Sequence, residues 1–143
     1  METGLAILAV CLLLVYSVYF FYIIRSKPEE FEKMLLSGLA DWMISHKEKS
    51  RRHLHLMLGG SFLVETLYFV LVFLVIQNLL FRVLTGLFVG FEFMHLTLLL
   101  ISMNQFFRGR IPLKYLFNWK IERTSAWLFF THSLLVLVQL AWW

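Results

Sequence analysis

The sequence predicts an all-α integral membrane protein with four transmembrane helices in a bundle and amphipathic interfacial helices in its two cytoplasmic segments. Three observations lead there. Of the 143 residues, 60% are apolar and only 15% charged, and the mean hydropathy is +0.76. Soluble domains run at about 45–50% apolar and about 25% charged. A water-soluble fold of this size could not cover so much apolar surface, whereas a bilayer solvates it. Second, the apolar residues fall into runs long enough to cross about 30 Å of hydrocarbon. Third, twelve of the thirteen basic residues lie in two segments between those runs.

The first run, residues 3–24, follows Met-Glu-Thr rather than a basic leader, exceeds the apolar core of a signal peptide and precedes no small-residue cleavage site. It reads as a retained span closed by Arg25. Leu54 to Met103 is too long for one span, which needs about 20 residues. Gln77, Asn78 and Arg82 interrupt it, so two spans are expected, over 54–76 and 81–103, joined by a tight hairpin. The fourth span, 124–143, ends in the Trp142-Trp143 pair expected at a membrane–water boundary. The whole chain is one domain.

Arg25, Lys27, Lys33, Lys47, Lys49, Arg51 and Arg52 lie between spans one and two. Arg108, Arg110, Lys114, Lys120 and Arg123 lie between spans three and four. The opposite side carries only Arg82. The excess of Lys and Arg assigns the basic segments to the cytoplasm and both termini to the outside. The same placement excludes nucleic acid as a partner, because no basic stripe interleaves with aromatic residues on a soluble surface. The expected partners are the lipid bilayer and either other membrane subunits or further copies of the chain.

Within the first basic segment, Pro28 suits a helix start, and Glu29, Glu30 and Glu32 suit its positive end. Phe31, Met34, Leu35, Leu39, Trp42 and Met43 then repeat at helical spacing, predicting an interfacial helix over 28–46. A second is predicted over 106–121, where Phe107, Ile111, Tyr115, Phe117 and Trp119 alternate with basic residues. Trp42, Arg51, Arg52, Arg108, Arg110, Trp119, Trp142 and Trp143 are the expected membrane-interface residues. His53 and His55 follow a basic cluster and belong to that boundary. Cys11 stands alone in an apolar run, which leaves no disulfide framework and no Cys-based metal motif.

The informative residues are those that do not suit hydrocarbon. Glu65, Glu92, His95 and His132 fall inside apolar spans, where a charge costs about 2.5–3.5 kcal/mol at the centre even on the gentler scales. Such groups face a bundle interior or a water cavity. Counting from the cytoplasmic ends at ~1.5 Å per residue puts Glu65, His95 and His132 at a similar depth, ~12–15 Å in, with Glu92 one turn beyond. Polar stripes support a shared inward face: Ser61, Glu65 and Tyr68 on span two; Thr85 with Glu92 and His95 with Ser102 on span three; Ser125, His132 and Gln139 on span four.

Carboxylate and imidazole together suit iron, zinc or manganese. The Glu92-Phe-Met-His95 segment has the Glu-x-x-His spacing of four-helix di-iron proteins, although those sites use four Glu and two His. Glu65, Glu92, His95 and His132 are therefore a candidate ligand set for one metal ion. A second arrangement seats haem b between His95 and His132. A third needs no cofactor and uses the same groups for proton or cation transport. A fourth has them only pair helices, as in an accessory subunit, with such bonds worth about 0.6–2 kcal/mol. Finally, the size, the four spans and the Glu65-Thr-Leu-Tyr68 stretch resemble the MAPEG family of membrane glutathione-dependent enzymes. The resemblance implies glutathione chemistry. It lacks the Arg-Ala-His-x-Asn type segment expected before that Glu, and His55 lies ten residues away.

Overall fold

The computed structural model describes residues 1–142 and is all-helical over them. Its long elements are α1 (Glu2–Ile24), α2 (Pro28–His46), α3 (Lys49–Val75), α4 (Leu79–Phe107) and α5 (Trp119–Ala141). A single 3₁₀ turn, Leu113–Tyr115, lies between α4 and α5. Four of these helices, α1, α3, α4 and α5, are long and apolar enough to cross a membrane. Trp143, expected at the boundary beside Trp142, lies outside the described residues; Trp142 itself is exposed.

The breaks follow local chemistry. α1 stops where Ser26 takes a left-handed backbone (φ 57°), and Pro28 opens α2 at a position where a missing N–H costs nothing. α2 stops at Lys47, also left-handed (φ 42°). The α3–α4 hairpin turns at Ile76–Asn78, where the sequence places the interruption. The Asn78 side chain accepts from the Phe81 backbone N–H at 3.1 Å, capping α4. Arg82 folds back across the turn. Its Nε donates to the Ile76 carbonyl at 2.9 Å and its Nη2 to the Phe73 carbonyl at 2.8 Å, satisfying two carbonyls that α3 leaves without helical partners. Asn78→Ala is expected to lower stability by about 1 kcal/mol, read as a small shift in a denaturation midpoint in detergent.

Three span boundaries differ from expectation. α3 begins at Lys49, and α5 at Trp119, each about a turn and a half before the apolar run. The helices form on backbone propensity and start in polar sequence, whereas hydropathy marks only where lipid-compatible side chains begin. The amphipathic helix expected over 106–121 is not one helix. α4 continues through Phe107, Gly109 then takes φ +71°, and Pro112 supplies no N–H, so the segment runs as turn, 3₁₀ turn and linker into α5.

The core is built from one face of each of α1, α3, α4 and α5. Leu5, Ala9 and Leu12 of α1 meet Tyr68, Phe69 and Val72 of α3, Phe81 and Phe88 of α4, and Phe129 and Val136 of α5. The most extensive pairing is α1 along α5. Ala9 and Ala126 keep their side chains small and buried, and Tyr16 stacks on Phe129 with ring centroids 4.6 Å apart. The outward faces carry large apolar side chains such as Leu14, Val15, Leu63, Leu79 and Leu87, all exposed.

α2 meets α1 and α5 through Phe31 and Glu32, and α3 through Trp42 and His46 beside His53. Phe31 stacks on Tyr19 of α1 at 4.6 Å. Glu32, the buried residue of α2, accepts from Arg123 of α5 in a two-pronged contact, Nε at 2.6 Å and Nη2 at 3.0 Å. The Tyr19 hydroxyl donates to the same carboxylate at 2.7 Å. Three helices are thereby tied at one buried acid.

Candidate functional site

The polar stripes of α4 and α5 face each other in antiparallel register. Thr85 meets His132, Glu92 meets Ser125, and His95 meets Glu122. Seven residues from Thr85 to Glu92 match seven from His132 back to Ser125, and three from Glu92 to His95 match three from Ser125 back to Glu122. This register separates the two histidines. His95 lies ten residues beyond Thr85 on α4, a rise of ~15 Å from the level of His132.

Around His95 the groups form a chain, with Glu92 and His95 buried and Glu122 half-buried. His95 Nδ1 lies 3.0 Å from Glu92 Oε2, and His95 Nε2 lies 2.9 Å from Glu122 Oε1. Ser125 Oγ donates to the other Glu92 oxygen at 2.6 Å. An imidazole with carboxylates at both nitrogens can donate to both only when it carries its second proton. Glu122 sits in the first turn of α5, where the unpaired backbone N–H groups favour a negative charge.

Glu65 adjoins this chain from α3. Its Oε1 accepts from Ser61 Oγ at 2.9 Å, with the Tyr16 hydroxyl of α1 at 3.5 Å. Its Oε2 is buried and has no hydrogen-bond partner. Glu65 and Glu92 line one small hollow between α3 and α4 with Phe62, Phe69 and Phe93.

His132 belongs to a different cluster. Its Nδ1 lies 2.7 Å from the Tyr68 hydroxyl, and its Nε2 lies 2.9 Å from Thr85 Oγ1. The Thr85 hydroxyl already donates to the Phe81 carbonyl at 2.8 Å, so it accepts from Nε2–H, and Tyr68 donates to Nδ1. Every polar atom of the imidazole is then satisfied without a further proton. Phe69, Phe81 and Phe88 surround the ring.

The structure thus brings Glu92 and His95 together, places Glu65 beside them, and sets His132 apart with Tyr68. Among the described residues no group of three or more His, Cys, Asp or Glu side chains converges as metal ligands would. The haem b arrangement does not fit either: His95 and His132 are about ten residues of helix out of level, and each has both ring nitrogens engaged. Of the other stripe residues, Ser61 and Ser125 join the acid–imidazole chain. Ser102 is half-buried beyond His95, and Gln139 lines a separate hollow with Glu2, Gln77 and Asn78 at the other end of the molecule.

Arg51, Arg52, Arg108 and Arg110 are exposed, and Trp42 and Trp119 half-buried. His53 packs near Trp42 and His46, and His55 near Phe107.

Glu122, Tyr16 and the Glu32–Arg123 pair escaped the reading of the sequence. Glu122 is flanked by Lys120 and Arg123 and passes for a loop charge. Its signal was position: it precedes Ser125 by three and His132 by ten, on the same α5 stripe. No protein-family model, curated protein or solved structure matches the chain, so neither the MAPEG resemblance nor any other assignment by kinship gains support.

Proposed function

We propose that the chain is a small integral membrane protein that carries protons through an acid–imidazole site within its helices. The observation that supports this best is the Glu92–His95–Glu122 chain, buried at Glu92 and His95, with an unpartnered carboxylate oxygen of Glu65 beside it. Two carboxyls share one imidazole, a third stands beside them, and the Glu32 carboxylate holds the neighbouring Arg123 guanidinium elsewhere. Ionisable groups retained at such cost within apolar helices belong to ion and proton pathways more often than to simple helix pairing. In this reading the two basic segments face the cytoplasm, with α2 along the headgroups and both termini outside. The apolar outer faces lie against lipid, further copies of the chain or other membrane subunits.

The test is proton flux into liposomes loaded with a pH-sensitive dye, with the membrane potential clamped. Wild-type protein is expected to conduct above protein-free liposomes, and Glu65→Gln to reduce the rate by about tenfold or more. Flux no greater than the blank would overturn the reading. So would one iron, zinc or manganese ion per chain in protein purified in mild detergent without chelator, which would return these residues to metal binding.

A further inference from the structure

The acid pair opens sideways. Between α3 and α4 lies a cleft of about 390 Å³, lined by Leu58, Gly59, Phe62, Phe93, Leu96 and Leu100 among others. Phe62, Phe93 and Leu96 also line the hollow of about 60 Å³ that holds Glu65 and Glu92, so the two spaces adjoin across these three side chains. The cleft lies on the apolar belt, where Phe62, Leu100 and Phe93 (68% exposed) are open to the surroundings. Behind them, in the hollow, Glu65 is 5% exposed, with the buried Oε2 that nothing in the protein satisfies.

We propose that this cleft binds an amphiphilic organic cation, an apolar body bearing one positive charge, taken up laterally from the lipid. The inference rests on the reading of Glu65, beside the Glu92–His95–Glu122 chain, as part of an ionisable site. Charge complementarity selects the occupant. A neutral acyl chain would fill the walls and leave the Glu65 oxygen unpaired, a costly arrangement in an apolar setting. An anion would meet two carboxylates. A cation answers both, and the faces of Phe62 and Phe93 add attraction for positive charge.

The probe is radiolabelled tetraphenylphosphonium, a permanently charged apolar cation, titrated by equilibrium binding to the full-length protein in lipid nanodiscs. Saturable binding is expected, and Glu65→Gln is expected to weaken it by about tenfold or more, a loss equal to ~1.4 kcal/mol. Phe93→Ala, a change at an exposed site, should weaken it by about threefold to tenfold. Gly59→Leu separates this inference from proton carriage. A β-carbon there would meet nothing within 4 Å, so the leucine fills the mouth of the cleft without a backbone clash. It should abolish phosphonium binding while the liposome proton flux continues.

Wild-type protein that carries protons but binds no phosphonium would overturn the ligand and leave the proton site standing. Binding without any proton flux would support the cleft and remove the proton reading. Equal displacement of the probe by neutral triphenylphosphine would assign the cleft to lipid chains, and a dimer cross-linked through the cleft with no phosphonium binding would assign it to a second copy; either overturns the proposal.

Discussion

Arg123→Ala is expected to destabilise the folded chain by about 2–3 kcal/mol, the largest loss from any single side chain at the α2 junction. Removing one partner of a buried ion pair costs ~3–5 kcal/mol because the other charge stays buried without compensation. Here the Glu32 side chain is 6% exposed but that of Arg123 is 35% exposed, so water replaces part of what is lost and the lower figure applies. Arg123→Lys should recover only part of the stability: an ammonium keeps the charge but cannot present two parallel N–H groups to both carboxylate oxygens. Thermal unfolding in detergent, followed by helicity, measures all three. An Arg123→Ala midpoint equal to wild type would show that α2 is held by its other contacts, Phe31 on Tyr19, the Tyr19–Glu32 hydrogen bond and Trp42 beside His53.

The same contact carries a pH signature. Burial would raise the Glu32 carboxyl, but hydrogen bonds from Arg123 and Tyr19 and the Arg123 charge outweigh it and hold it below the ordinary value of 4.5. A carboxyl depressed on folding contributes stability that is fully present above the unfolded value and lost as pH falls through the folded one. The stability gap between wild type and Glu32→Gln should therefore be flat at neutral pH and shrink below about pH 4.5. Using the difference between the two proteins removes the titration of the other acids. A gap that persists undiminished in acid would show that the carboxylate charge is not what binds α2.

Most of the helix order was legible in the residues because hydrophobic runs and breakers are local signals. Pro28 marked the start of α2, and Gln77 with Asn78 marked the hairpin. The segment 106–121 misled because its apolar–basic alternation was weighed above Gly109 and Pro112, two residues that interrupt a helix whatever its amphipathicity. The seven-residue stripes of α4 and α5 were legible as well, and they do face each other. Their register was not. Levelling Met103 with Thr124, the ends of the apolar runs, sets the two helices ten residues out of step, since the pairing of Glu92 with Ser125 places Thr124 opposite Phe93. That slip put His95 and His132 at one depth and suggested a shared ligand. Glu32 and Arg123 lie 91 residues apart in segments read as surface charge, and no periodicity joins them.

The two histidines then make opposite predictions. His95→Gln is expected to leave the fold in place, because glutamine can still donate to one carboxylate, while proton flux falls by about tenfold to a hundredfold for want of a group that binds and releases a proton. His132→Leu is expected to preserve flux and cost about 1–3 kcal/mol, because the Tyr68 hydroxyl is left buried without an acceptor while Thr85 keeps its bond to Phe81. Adding Tyr68→Phe to His132→Leu removes the orphaned hydroxyl, so the double variant should be more stable than the sum of the two single losses implies. Stability and flux measured on the same preparations separate these cases. If both histidine variants lost flux equally with little loss of stability, the two rings would be serving one function across the bundle, and the register that places His95 with Glu122 and His132 with Thr85 would be wrong. If neither lost flux, the acid–imidazole chain would be a helix clamp, and the proton route would have to lie elsewhere.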